Sequence, residues 1–512
     1  MLFDQPISTI PFKQWLRENK ENRRLFLFFV IAMTISFTWI KILYPFPNFM
    51  PPDSISYIQA AQNNDFINMW PIGYSKFIRF LGAVNKSDLF LVAVQFILIQ
   101  IAMLYLLFTI RYLLLPGKWM FRILFIACFS NPLLLHVANF ISSDSLFIAV
   151  SILWFTQLLW ILYRPTMKLM LTHSIILLVT FTVRYNAIYY PFISLAFFGL
   201  AQIPKTHKLI GIGFTISLLF SFVGLTQYEY YKKTSTVQFS AFAGWQLASN
   251  ALYGYAYSPE YPVSKVPVLF RGLHESVNQH MNMLNKRVLR PDGDVGIYYL
   301  WDPQSPLWTY LNEIRRDDTG SLFLKWSKMA PLYSAYGRYL IAQNPTGYVK
   351  HFLLPNLRKF YVPPPSFMVI YNMGNDTVDS KAALWFGWKN NKVFTRSKTA
   401  IIQIVELSII PIAIINVLFL LSCAAFTLAG GFKRSGGYAR RAVILMLAIW
   451  FVNMAFSILA APNELRYQLF PLVITICFTC LLIAWLFEHA FSKQNITNIP
   501  QDSNPLSNSL SH

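Results

Sequence analysis

Four charged residues stand where charge is expensive. Asp53, Asp144, Arg184 and Arg466 each lie beside the end of a strongly apolar run, and a charge at mid-depth in a membrane costs about 2.5 to 3.5 kcal/mol on insertion scales. Asp53 falls in Phe49-Met50-Pro51-Pro52-Asp53-Ser54-Ile55-Ser56-Tyr57. The others occupy short polar breaks: Ile141-Ser142-Ser143-Asp144, Arg184-Tyr185-Asn186 and Asn463-Glu464-Leu465-Arg466-Tyr467. Two acids and two arginines are a set with complementary chemistry. A carboxylate can take a proton from an attacking hydroxyl, and guanidinium groups can hold a phosphate with two parallel hydrogen bonds. Each residue also has an ordinary structural use. Asp53, after Pro-Pro, fits the N-cap of a helix over 54–63, and Asp144 fits the cap of the span that follows it. The arginines can reach up to lipid headgroups. Taken singly, each is first explained in that way; their placement on one common face is what points to function.

The elements that must position them are read from hydropathy. Hydrophobic residues make up 55% of the 512, charged residues 13%, and mean hydropathy is +0.43, whereas an ordinary soluble domain carries roughly 25% charge. Apolar runs of about the ~20 residues needed to cross a bilayer fall near 25–45, 88–115, 120–138, 145–163, 168–183, 187–203, 208–226, 399–428, 442–460 and 468–488. The expectation is an all-α polytopic membrane protein of about ten transmembrane helices, with a long, mainly helical extracytoplasmic segment. The net charge of +21 does not imply nucleic acid, because the basic residues gather in short loops. With the N-terminus inside, the inner loops carry Arg111, Lys118, Arg122, Arg164, Lys168, Lys205, Lys208, Lys433, Arg434, Arg440 and Arg441 and no acid, as the positive-inside rule requires. All four charged sites then face outward.

This divides the chain into a cytoplasmic segment 1–24, seven spans over 25–226, an extracytoplasmic segment 227–398, three spans over 399–488 and a cytoplasmic, disordered tail 489–512. The basic N-terminal segment precedes a run too long for a cleaved signal peptide and without a small-residue cleavage site. The first outer loop, 46–87, holds two amphipathic helices, over 54–63 and 71–84, and 348–361 mixes basic and aromatic residues as an interfacial helix does. Trp245, Tyr253, Tyr255, Trp301 and Trp308 of the outer segment suit either stacking on sugar faces or a core of their own. Cys128, Cys423, Cys477 and Cys480 lie inside apolar runs and are read as packing residues.

The order of these motifs resembles the GT-C superfamily of membrane glycosyltransferases, in particular the protein O-mannosyltransferase and lipid A aminoarabinose transferase type. Pro52-Asp53-Ser54 looks like that family's first outer-loop acid, and Trp70-Pro71-Ile72-Gly73-Tyr74 like the segment after it. Asn131-Pro132 with Ser143-Asp144-Ser145-Leu146-Phe147 is similar to its second acidic motif, Arg184-Tyr185-Asn186-Ala187 to its polar break, and Arg466-Tyr467-Gln468-Leu469-Phe470-Pro471 to its late Arg-Tyr motif. The resemblance covers 1–226 and 399–488. It departs from the family where Asp53 is followed by Ser54 rather than a second acid, and where the long outer segment interrupts the spans.

The resemblance implies transfer of a sugar from a polyprenyl-phosphate donor to a protein, lipid or glycan acceptor, with inversion. Asp53 is then the general base and Arg184 and Arg466 bind the donor phosphate. Asp144, Tyr57, Asn186, Glu464 and Tyr467 orient substrate or a divalent cation; Asp53 and Asp144 are its ligands where one is used. A transporter or flippase of lipid-linked sugar or polysaccharide is the alternative from another class. The expected setting is a bacterial inner membrane with both termini cytoplasmic, since the outer region lacks cysteine and no retention signal is present.

Overall fold

The computed structural model describes residues 10–129, 131–285, 291 and 296–497, with side chains as far as Ala490. Its elements are helices; among the described residues there is no strand, only isolated bridges. Among the described residues, eight helices are long and apolar enough to cross a membrane: Lys20–Leu43, Asp88–Leu113, Lys118–Ala138, Ser143–Tyr163, Lys205–Thr234, Gln403–Leu428, Gly437–Ala460 and Leu465–Ala490. Several display large apolar side chains outward. On Lys20–Leu43, Phe26, Leu27, Phe28, Ile35 and Trp39 are all exposed, a surface that water would penalise and lipid accepts. These helices fit an integral membrane protein.

Two of the ten expected crossings fall on shorter elements. The run 168–183 is the 17-residue helix Met167–Val183, and 187–203 is a 3₁₀ turn, Tyr185–Tyr189, followed by Tyr190–Leu200. The run 120–138 is two pieces, Lys118–Phe129 and Pro132–Ala138. Proline cannot donate to the preceding turn, so the helix restarts at Pro132, with the Asn131 side chain accepting from Leu133 N at 3.0 Å. The seventh run does not stop at 226; its helix continues to Thr234. The last helix continues to Thr497, so the stretch expected to be a structureless tail is helical at 489–497, and 498–512 lies outside the described residues.

Ser143–Tyr163 and Leu465–Thr497 are the central pair. Ser143–Tyr163 is buried almost all round, packed on Asp88–Leu113 and Met167–Val183, while Leu465–Thr497 packs on Ile409–Leu428, Lys118–Phe129 and Gly437–Ala460. Arg111 at the end of Asp88–Leu113 pairs with Glu21 at the start of Lys20–Leu43 at 2.5 Å. Arg111 and the start of the Lys20–Leu43 helix therefore share one end of the bundle.

Helices form in both expected stretches, as Asp53–Asn63 and Gly73–Val84, and 345–361 is a continuous helical run containing one π turn. The segment 227–398 builds its own core, in which Trp245 stacks on Trp326 with centroids 5.2 Å apart and meets Tyr333 edge-on at 4.6 Å. Helices Ala241–Tyr255 and Leu322–Gln343 touch backbone to backbone. A Cβ on Gly337 would lie 2.9 Å from the backbone of Leu247 and Ala248, so glycine is required there.

Candidate functional site

Backbone bridging sets the loop 46–87 against the polar break at 142–144. Asn48 N donates to Asn139 O at 2.8 Å and Ile141 N to Asn48 O at 2.9 Å. Ser54 Oγ donates to Ile141 O at 2.7 Å and accepts from Met50 N at 2.8 Å. Asp53 and Asp144 are thereby fixed on neighbouring pieces of chain. The Arg466 break is held from the other side. Asn356 Nδ2 donates to Ile458 O at 3.2 Å and Ala461 O at 3.1 Å, Asn463 Nδ2 donates back to Asn356 O at 3.0 Å, and Leu465 N reaches Pro364 O at 2.9 Å. Inside the bundle, Gln468 Nε2 donates to Asn463 Oδ1 at 3.0 Å and Asn453 Nδ2 to Gln468 Oε1 at 3.1 Å.

Four polar points scattered over more than 400 residues of sequence become one chain of alternating charge. Arg184 Nη1 donates to Asp144 Oδ1. Arg466 lies between the two acids, with Nη2 2.8 Å from Asp53 Oδ2 and Nε 3.3 Å from Asp144 Oδ2. The second contact is too poorly angled to be a hydrogen bond, so among the described residues Nε is buried without an acceptor, and Nη1 faces the Met50 sulfur, a weak acceptor. The Tyr467 ring lies against both guanidinium groups, 4.9 Å from Arg184 Cζ and 5.4 Å from Arg466 Cζ. Ser142 Oγ donates to Asp144 Oδ2 at 3.0 Å, and Tyr57 OH meets Ser143 Oγ at 3.0 Å.

The ordinary structural uses do not account for these side chains. Asp53 is the first residue of its helix and makes no capping bond, and Ser142, not Asp144, occupies the cap position of the Ser143 helix. Arg184 and Arg466 are buried rather than extended toward a headgroup layer. Removing such charges from water costs several kcal/mol per ion before pairing offsets it.

Two cavities meet at this chain. The smaller, about 310 Å³, is lined by Asp53, Glu464, Gln246, Trp70, Trp301 and the Pro51-Pro52 turn among others. The larger, about 410 Å³, holds Tyr57, Arg184, Asn186 and Ser143 at its polar end and is otherwise largely apolar. It runs out past Ile188 and Leu459, both exposed on the bundle surface. Trp70, Phe242, Gln246, Ala461, Arg466 and Tyr467 line both. Glu464, only 7% exposed, makes no ion pair among the described residues, and burial pushes its carboxyl up to about 7 against the partial opposition of Arg466. Burial likewise pushes the Tyr57 hydroxyl up to about 12, so it acts as a neutral donor or acceptor.

All eight residues singled out from sequence, Asp53, Tyr57, Asp144, Arg184, Asn186, Glu464, Arg466 and Tyr467, come together here. Of the five outer-segment aromatics, Trp301 reaches the site; Trp245, Tyr253, Tyr255 and Trp308 belong to that segment's own core and margins. Sequence reasoning missed Trp70, Gln246 and Ser142 as lining and supporting residues, and Asn356 as the anchor of the Arg466 break. Asp53 and Asp144 do not suit a shared dication, since the Arg466 guanidinium fills the space between them. Among the described residues no group of three or more His, Cys, Asp or Glu is placed to hold a metal. No family model matches the sequence, and no curated protein or solved structure matches it.

Proposed function

We propose that the protein is a membrane glycosyltransferase that moves a sugar from a polyprenyl-phosphate donor to an acceptor hydroxyl, with inversion at the anomeric carbon. The reading rests on one observation: an apolar cavity open to the bundle surface and a smaller cavity bearing two carboxylates meet at the buried Arg466, which keeps a donor to spare. An isoprenoid chain suits the first cavity, and a phosphate suits Arg184 and Arg466 where the two meet. Charge developing on that phosphate as the glycosidic bond breaks would be stabilised there. The acceptor enters from the smaller cavity, where Trp70 and Trp301 offer flat apolar walls, and one of its two carboxylates, Asp53 or Glu464, takes the hydroxyl proton.

In this reading the chain crosses the membrane ten times, Met167–Val183 and the run 185–200 making the two short crossings. The basic loops and both termini face the cytoplasm of a bacterial cell, and the site lies on the outer side. The test is an in vitro assay of the purified protein with undecaprenyl-phosphate hexoses and pentoses against lipid, peptide and oligosaccharide acceptors. Transfer that is lost in both Arg184→Ala and Arg466→Ala is expected. Movement of the lipid-linked sugar across vesicles with no transfer would instead mark a flippase and overturn the proposal.

A further inference from the structure

We infer that Glu464, rather than Asp53, takes the proton from the acceptor hydroxyl, which makes the smaller cavity the acceptor site; this rests on the glycosyl-transfer reading above. The choice among the three buried acids follows from what each already holds. Asp144 is engaged by Arg184, Arg466 and Ser142 and does not line the smaller cavity. Asp53 lines it, but its Oδ2 is 2.8 Å from Arg466 Nη2, so that oxygen is already engaged by a guanidinium donor rather than open to an incoming hydroxyl. Glu464 lines the same cavity with no ion pair among the described residues. Its backbone is fixed on both sides, by Asn463 bonded to Asn356 and by Leu465 N on Pro364 O. A carboxylate with free lone pairs on a rigid turn, opposite Trp70, Trp301 and Gln246, is what an incoming hydroxyl requires.

The groups facing Glu464 set its proton affinity. Burial raises it, Arg466 lowers it, Asp53 raises it, and Lys359 and the more distant Arg184 lower it, leaving it at about 7. A base serves best when its pKa lies near the working pH. In the step itself the acceptor oxygen attacks the anomeric carbon and a new C–O bond forms. The bond from that carbon to the donor phosphate oxygen breaks, and its electron pair leaves with the polyprenyl phosphate, which gains one negative charge beside Arg184 and Arg466. The hydroxyl proton passes to the Glu464 carboxylate, and from there to solvent when product leaves.

The experiment compares wild type, Glu464→Gln, Glu464→Asp and Asp53→Asn as full-length protein with the undecaprenyl-phosphate sugar that wild type accepts, measuring transfer rate against pH and donor binding separately. Glu464→Gln should lose about 100-fold or more of the transfer rate while binding donor as wild type does. The wild-type rate should fall about tenfold per pH unit below 7, and Glu464→Asp should keep measurable activity with a displaced profile. If Glu464→Gln fails gel filtration, the displaced profile of Glu464→Asp decides; an unmoved profile in that variant overturns the inference. Transfer within threefold of wild type in Glu464→Gln, with the same pH profile, also overturns it and leaves the glycosyl-transfer reading standing. No transfer by wild type with any donor defeats that reading itself.

Discussion

Replacing Arg466 by methionine, which keeps most of the side chain's bulk, tests whether the alternating charges act as a unit. The substitution strands Asp53, whose carboxylate has its ion pair only with Arg466 among the described residues, while Asp144 retains Arg184 and Ser142. Breaking a buried pair from one side costs about 3–5 kcal/mol. Because one acid keeps its partners, nearly all of this falls on Asp53. Adding Asp53→Asn to Arg466→Met removes the stranded charge, so the double variant should recover about 1–3 kcal/mol of the loss, the size of coupling expected between residues in direct contact. Asp53→Asn alone should cost less than Arg466→Met, since Arg466 still faces Asp144. The assay is denaturation of the four proteins in one detergent at one pH, closed as a double-mutant cycle. Strict additivity, or an Arg466→Met variant within about 0.5 kcal/mol of wild type, would refute the idea that Asp53 depends on this arginine.

The remaining predictions concern the same apex and the core beneath it. Moving the Glu464 carboxyl from 4.5 to about 7 means that its ionised form costs the folded state about 3 kcal/mol. The folded state binds the extra proton, so this penalty is absent below pH 4.5 and grows as pH rises, reaching its full size above 7. Glu464→Gln should therefore gain melting temperature relative to wild type between pH 5 and pH 8, by a few degrees; a difference that stays flat across that range counts against it. In the span core, Cys128 and Cys477 sulfurs lie 3.7 Å apart on different helices. With Cys423 and Cys480 replaced by alanine, mild oxidation should join this pair, seen as loss of two hydrogens in the intact mass. Two thiols surviving treatment would show that Lys118–Phe129 does not pack on Leu465–Thr497 as described.

The spans were legible because lipid demands one simple property, a run of apolar residues about 20 long. Where apolar elements are short, as at Met167–Val183 and Tyr190–Leu200, hydropathy alone marks an apolar run but cannot say how a helix breaks within it. Asn131-Pro132 carries such a break, a cap followed by a residue that cannot donate, yet hydropathy reads 120–138 as one run. The charged residues were legible for the opposite reason: Asp53, Asp144, Arg184 and Arg466 stood out against apolar neighbours. Their pairing was not legible. Nothing in the sequence says that Arg466 sits between two acids rather than beside one, because that depends on the Asn48 bridge to 139–141, made of backbone groups every residue carries. Asn356 was equally hidden, as one polar residue in the helix Leu354–Tyr361 whose partners are carbonyls about 100 residues away. In the outer segment, Trp301 and Trp245 are the same residue type in similar aromatic surroundings, and only the fold separates the cavity wall from the core.

The Asn356–Asn463 exchange of hydrogen bonds also bears on how this chain can be recombined. It couples the end of the outer segment to the apex bearing Glu464 and Arg466, while Asn250 ties the start of that segment to Ala460 at 3.1 Å. A graft that swapped residues 227–398 for another outer segment would cut both ties, and the apex would lose the partners that fix it. The natural seam for a chimaera lies elsewhere: Asn250, Asn356 and the 460–467 turn must be exchanged together, along with the helices Gln403–Leu428 and Gly437–Ala460 that lie between them in sequence.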